Sequence, residues 1–389
     1  MKMIRESIKQ SINRKKMLGG FDAVRQTRKM VMLLAVLLMA GCMFCFAGCG
    51  SDESSGNAGS GTGPAVSANG DPAGTVLSET DTELTVVDQA GREVTVKKDP
   101  QSIALCYRVV IRFLLSLDQG DKIKGIGKSE PFLEQLQPSL ADCADVGKGV
   151  ADIEALAELE PDLFIHKASD VQTLDAVSEI GIPSVGIEVE TPEDMVVALD
   201  LLGKVCGAEE KAAELIDYYN GQIEASEELV SQLGDGDKPT AIVMGTSIGK
   251  VADGSMLQGE MLERAGAVNC AADLKATELW PTAGTEQIFA WDPDYIFITN
   301  SESAVYTAED ILKDPAWSDM TAVREKHVYE MPAEADSWEF PGVVSTLGID
   351  YMMHEMHPQL LDEKTLQEHV DALYQLCYGR TFERDELGY

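Results

Sequence analysis

A twelve-residue segment occurs twice in this chain, 132 positions apart, and the repeat constrains the architecture more than any other feature. The first copy runs Glu154-Ala155-Leu156-Ala157-Glu158-Leu159-Glu160-Pro161-Asp162-Leu163-Phe164-Ile165. The second runs Glu286-Gln287-Ile288-Phe289-Ala290-Trp291-Asp292-Pro293-Asp294-Tyr295-Ile296-Phe297. Each copy reads as a short helix stopped by proline and followed at once by a buried strand. Asp152 and Thr285 stand where an N-cap is wanted. Each leading Glu therefore falls in a first helical turn, where the helix dipole favours a carboxylate. Two similar lobes, each presenting one acid at an equivalent point, suit docking onto a partner with paired arginines.

The rest of the chain fits two such lobes. Alternation over Thr85–Val96, turning at Ala90-Gly91, predicts a β-hairpin. Strands at Ser102–Leu105, Ile123–Ile126, Leu163–Ile165 and Ser184–Ile187 alternate with helices at Val109–Leu117, Ile153–Leu159 and Leu174–Ile180, the pattern of a mostly parallel α/β sheet. A helical block follows over 192–233, broken near Gly207. Its second part, 208–233, contains no proline; about 26 residues would make a rod of roughly 39 Å. The α/β pattern then restarts, with strands at Ala241–Met244 and Tyr295–Ile298 and helices at Met256–Gly266, Val343–Met356 and Thr365–Tyr378. The expected fold is α/β, with two Rossmann-like lobes over 82–191 and 235–389 joined by the helical segment 192–234.

The N-terminal region is of another kind. The first 29 residues carry nine Lys/Arg and two acids, and residues 30–48 carry no charge. A basic leader before an apolar run is a secretion signal, although an apolar run of that length could also be retained as an anchor helix. Phe46-Ala47-Gly48-Cys49 places small residues before a cysteine and a Gly/Ser-rich stretch after it, as in a bacterial lipobox. Residues 1–48 then form the signal peptide and Cys49 is lipidated. Leu38-Met39-Ala40-Gly41-Cys42 is a rival that would leave an apolar start to the mature chain, and Met17 is an alternative start. The segment from 49 to 81 is poor in large apolar side chains and reads as a flexible tether.

Composition excludes some functions. Net charge is −35, and −42 once the leader is removed. Such a body repels nucleic acid and anionic lipid, leaving the lipid anchor as the contact with the membrane. Five cysteines lie beyond the leader region (Cys106, Cys143, Cys206, Cys270, Cys377), without metal spacing, and read as small core residues. Gly245-Thr246-Ser247-Ile248-Gly249 fits the nucleophile elbow of a serine hydrolase, but the turn-like Lys250–Gly254 stands where a helix is needed. Gly127-Lys128-Ser129 resembles the end of a P-loop, but Lys122 occupies the position of its first glycine. His354 and His357 share a helix face without an evident third ligand and read as a helix end rather than a metal site. The repeat and the α/β content argue against an adhesive surface protein. No catalytic residue, resident metal or cofactor is expected.

Ordered segments along residues 82–389 resemble the substrate-binding proteins of iron-siderophore, haem and cobalamin ABC importers. They include Asp88–Val96, Ile103–Leu117, both repeat copies, Glu179-Ile180-Gly181-Ile182-Pro183, Gly266-Ala267-Val268-Asn269, Ala322-Val323-Arg324 leading to His327-Val328-Tyr329, and Trp338-Glu339-Phe340-Pro341. The resemblance implies an extracytoplasmic, lipid-anchored, monomeric protein whose lobes are joined by a rigid helix. It would bind a small ligand between the lobes and deliver it to a permease, with Glu154 and Glu286 meeting permease arginines. The ligand expected first is a ferric siderophore, then haem or a corrinoid, with a molybdate-type oxyanion as an alternative.

Ligands of α/β domains sit outside the carboxyl ends of the strands. After the first strand come Tyr107, a candidate phenolate ligand or stacking face, and Arg108, a candidate grip for an anionic group. Lys128 and Lys167 follow later strands. In the second lobe Thr246, Ser247 and Met256 follow the first strand, and Trp280 and Asn300 flank the repeat. Trp338 and Glu339 lie in the irregular stretch Ala333–Pro341, with Trp338 as the expected aromatic wall.

Overall fold

A computed structural model of the chain describes residues 65–234, 236–274, 279–300 and 304–389. The expected signal segment and the cysteines at 42 and 49 lie outside them. Strands β1 (Val76–Glu79), β2 (Glu83–Val87) and β3 (Glu93–Lys97) form an antiparallel ribbon in that order. The hairpin is where alternation put it. Strand β1, however, lies inside the stretch expected to be a tether. All four of its side chains are exposed, and backbone pairing with β2 holds it, so its polarity is no obstacle.

The first α/β lobe follows: β4 (Ile103–Leu105), α1 (Val109–Ser116), β5 (Ile123–Ile126), α2 (Pro131–Leu136), β6 (Ala144–Asp145), α3 (Ile153–Leu159), β7 (Leu163–Lys167), α4 (Val171–Glu179) and β8 (Ser184–Ile187). Its sheet is parallel, in the order β6-β5-β4-β7-β8. Two helices then lead away. Helix α5 (Pro192–Cys206) is capped by Thr191 and closed by Gly207 in the left-handed conformation. Helix α6 (Glu209–Val230) has 22 residues, a rod of about 33 Å. The two pack closely: a β-carbon on Gly203 would lie 2.5 Å from that of Ala212.

The second lobe contains β9 (Thr240–Met244), α7 (Leu257–Arg264), β10 (Val268–Asn269), α8 (Thr285–Trp291), β11 (Tyr295–Ile298), α9 (Ala308–Lys313), α10 (Thr321–Glu325) and β12 (Val328–Glu330). Its parallel order is β10-β9-β11-β12. Matching β9 to β4, β10 to β5, β11 to β7 and β12 to β8 makes the two sheets topologically alike, with β6 as an addition. The fold is therefore two parallel α/β lobes. Helices α11 (Ser345–Met356), α12 (Glu363–Tyr378) and α13 (Arg384–Leu387) end the chain.

The repeat has a physical reason in both lobes. Helices α3 and α8 each bury one apolar residue completely, Leu156 and Ile288, and each ends on a left-handed residue, Glu160 or Asp292, before its proline. The aspartate after the proline then ties down the start of the lobe's first strand. Asp162 accepts the N–H groups of Gln101 at 2.8 Å and Ser102 at 3.2 Å. Asp294 accepts the N–H and hydroxyl of Thr240, both at 2.9 Å. One expectation is corrected: Asp152 caps α3, but Gly284, not Thr285, precedes α8, and Thr285 is its first residue.

One apolar core runs from the first sheet through Leu202 and Leu215 of the helical pair to Val243 and Met352 of the second lobe. Helix α11 packs on α6 and α7, and helix α12 packs back onto α1 of the first lobe. There Phe132 of α2 meets Tyr374 and Tyr378 edge-on. The three most buried cysteines, Cys106, Cys206 and Cys377, sit in apolar surroundings, and burial pushes the Cys106 and Cys206 thiols up to about 12. No helix among the described residues is long and apolar enough to cross a membrane.

Candidate functional site

Parallel strands of both lobes end at one cleft of about 490 Å³. From the first lobe come Tyr107 and Val109, after β4, and Glu190, after β8. From the second come Thr246, Ser247 and Lys250 after β9, Met256 and Gln258 at the start of α7, Leu279 and Trp280 before α8, Thr299 after β11, and Glu339–Pro341 after β12. The wall's surface is mostly apolar, although polar and charged residues make up half of its lining, a make-up suited to a small-molecule site.

The connection after β9 is a tight turn. Gly245 N–H bonds the Lys250 carbonyl at 2.8 Å, and Lys250 N–H bonds the Ser247 carbonyl at 3.1 Å. The next helix begins only at Leu257. Ser247 therefore sits on no nucleophile elbow, and no histidine among the described residues lines the cleft. The hydrolase alternative loses its geometry. Trp280 adopts a positive φ of 57° and lies against this turn, so close that a β-carbon on Gly245 would be 2.8 Å from its ring.

Tyr107 faces an acidic corner. Burial first, then the charges of Glu190, Glu188 and Asp194, pushes its phenol well above the ordinary value. Lys167 stands over the Tyr107 ring at 5.8 Å and pairs with Glu190 at 2.8 Å and Glu188 at 3.9 Å. Burial also raises the Glu188 carboxyl, against the opposing pull of Lys167. Glu339 is 1% exposed, and burial carries its carboxyl up to about 8. The Asn300 backbone N–H pulls the other way without reaching hydrogen-bond geometry: neither carboxyl oxygen has a partner among the described residues.

Several expected residues take other places. Trp338 is not a ligand wall. It is fully buried, donates its indole N–H to the Tyr374 hydroxyl at 3.1 Å, and meets Tyr351 edge-on. The stretch turns here: Trp338 N–H bonds the Pro332 carbonyl and Phe340 N–H bonds the Ser337 carbonyl, both at 3.1 Å. Phe340, not Trp338, reaches the cleft. Arg108 does not line the cleft either; its guanidinium pairs with Glu130. Lys128 is exposed after β5, two strands from β7 in the sheet, and is not part of the wall. Asn300 is adjacent to the lining residue Thr299. His354 and His357 bond the carbonyls of Leu361 and Gly266, and no metal-holding cluster occurs among the described residues. Glu190 was missed although it follows a strand end, where the strand rule would have found it.

Glu154 and Glu286 are both exposed, each in the first turn of its repeat helix.

Comparison with known proteins adds the following. A family model described as periplasmic binding protein matches residues 108–335. The molybdate-binding protein MolA of Haemophilus influenzae is 24% identical over 336 residues, covering 77% of this chain and 92% of its own. The Fe(3+)-citrate-binding protein YfmC of Bacillus subtilis is 23% identical over 333 residues, covering 82% and 94%. The crystal structure of a periplasmic solute binding protein from Veillonella parvula matches with a TM-score of 0.69 at 26% identity, over 78% of this chain and 94% of that one.

Proposed function

Because the chain belongs to this family of periplasmic binding proteins, the solute-binding components of ABC importers, we propose that its cleft takes a metal chelate with an organic periphery. A ferric siderophore comes first, then haem or a corrinoid. The observation that carries the reading is the wall itself. Tyr107, Trp280, Phe340, Met256 and Leu279 offer large apolar faces, interspersed with polar groups that can anchor a chelate's periphery. A tetrahedral oxyanion needs a small cage of N–H groups and cations; this cleft is large and carries Glu190 and Glu339. The similarity to MolA favours the oxyanion as the second reading, with Thr246, Ser247 and Lys250 as its anchors.

In this proposal Cys49 carries the lipid that holds a monomeric protein at the outer side of the cell membrane, and no chemistry is done on the ligand. Glu154 and Glu286 meet the permease. The test is native mass spectrometry and an absorbance spectrum of protein purified from its own cells, with elemental analysis. A visible charge-transfer band supports a ferric chelate and a Soret band supports haem. Bound molybdenum without an organic ligand would overturn the chelate reading.

A further inference from the structure

Glu339 is a buried carboxyl on the wall of an open cleft, and both of its oxygens are without a partner among the described residues. A group so placed is costly to leave unmatched. Its surroundings supply little of the match: the Asn300 backbone N–H pulls on the carboxyl but forms no hydrogen bond with it. Gln258 spends its amide N–H on the Glu339 main-chain carbonyl at 3.0 Å, and Tyr306 donates its hydroxyl to the Gly245 carbonyl at 2.8 Å. The other titratable groups near it or on the same cleft are Lys250, Glu190 and Tyr107. Lys250 is not a free cation, and Lys167 is engaged by Glu190 in the first lobe.

We propose that Glu339 receives a positively charged group of the ligand, an ammonium or guanidinium on its organic arm, and selects ligands by that charge. Tyr107, Trp280 and Phe340 line the same cleft, and aromatic faces also favour a cation. The body's net charge of −42 draws cations toward the molecule from solution. The inference rests on the cleft being the ligand site and deepens the chelate reading by fixing the ligand's charge.

The pH dependence gives the sign. With its carboxyl raised to about 8, Glu339 holds a proton at neutral pH. Seating a cation ionises it and releases that proton to solvent. Affinity for a cation must then rise with pH until about pH 8, by up to about tenfold per unit. A ligand that instead accepted a hydrogen bond from the protonated acid would bind more weakly as pH rose.

The experiment compares two ferric trihydroxamate chelates that differ at one position, a free terminal ammonium or its acetylated form. Simple pentylammonium is the metal-free probe. Binding is titrated calorimetrically between about pH 6 and 9. The ammonium chelate is expected to bind at least about tenfold tighter than the acetylated one at the upper end, with affinity rising toward pH 8. Glu339→Gln, a neutral match to the protonated acid, should remove both the preference and the slope while still binding the acetylated chelate. Equal binding of the pair by the unmodified protein, a falling slope, or a preference that survives Glu339→Gln would each overturn the proposal. Binding of pentylammonium without either chelate would sink the chelate reading and leave the role of Glu339 standing. No binding by any ammonium-bearing probe overturns the role of Glu339.

Discussion

Arg112 shows how a single side chain sets the site. It is 5% exposed, bonds Asp336 at 2.6 Å and Glu130 at 2.7 Å, and lies 5.5 Å from the Phe340 ring centroid. One cation on α1 of the first lobe thus holds the loop that presents Glu339 and Phe340 from the second. Removing one partner of a buried pair strands the other charge; Asp336 is fully buried and Arg112 is its one ion-pair partner among the described residues, so Arg112→Met should cost about 3–5 kcal/mol in denaturant unfolding. Combining Arg112→Met with Asp336→Leu removes both charges and should cost less. A double variant as unstable as the single one would show that the stranded charge is not the cause. None of this was legible in the sequence, because nothing local links positions 112 and 336. The same holds for Arg108. Its charge suggested an anion grip, but Glu130 claims it in three dimensions. Trp338 and Phe340 were two residues apart and chemically similar, and only the backbone turn between them decides which faces the cleft.

Elements were legible where burial is continuous. Strands β4, β7, β8 and β11 are short apolar runs bounded by turn residues or proline, and their limits fell close to expectation. Strands β6 and β10 have two residues each and show no periodicity to read. Strand β1 escaped because its pairing uses backbone alone. The helical block was read correctly as broken near Gly207, but not as a hairpin whose arms touch at Gly203 and Ala212. That contact gives an element-scale prediction. Gly203→Val pushes the arms apart and should lower stability by about 1–3 kcal/mol, read as a lower unfolding midpoint at unchanged slope. A neutral effect would mean that the arms already have room to separate. The cleft should also bind less tightly, since the arms connect the two lobes.

At the scale of the molecule, the two sheets share one strand order, and the repeat puts Glu154 and Glu286 at corresponding places on them. Reversing both charges, Glu154→Lys with Glu286→Lys, should abolish ligand uptake in cells by at least about tenfold while leaving affinity in solution unchanged. A parallel collapse of affinity would mean that these acids serve the lobes and not a partner. The sequence carried this much because the repeat is itself a statement about the whole. It could not carry the cleft's composition, which is drawn from seven separate strand ends, turns and helix starts.

The packing of α12 against α1 has a consequence for how the protein is made. The polypeptide's tail covers the domain that its head builds. A chain handed over head first, by a ribosome or through a translocation channel, leaves that domain uncovered until the tail has emerged. It should stay pliable while in transit and become fully knit only after release.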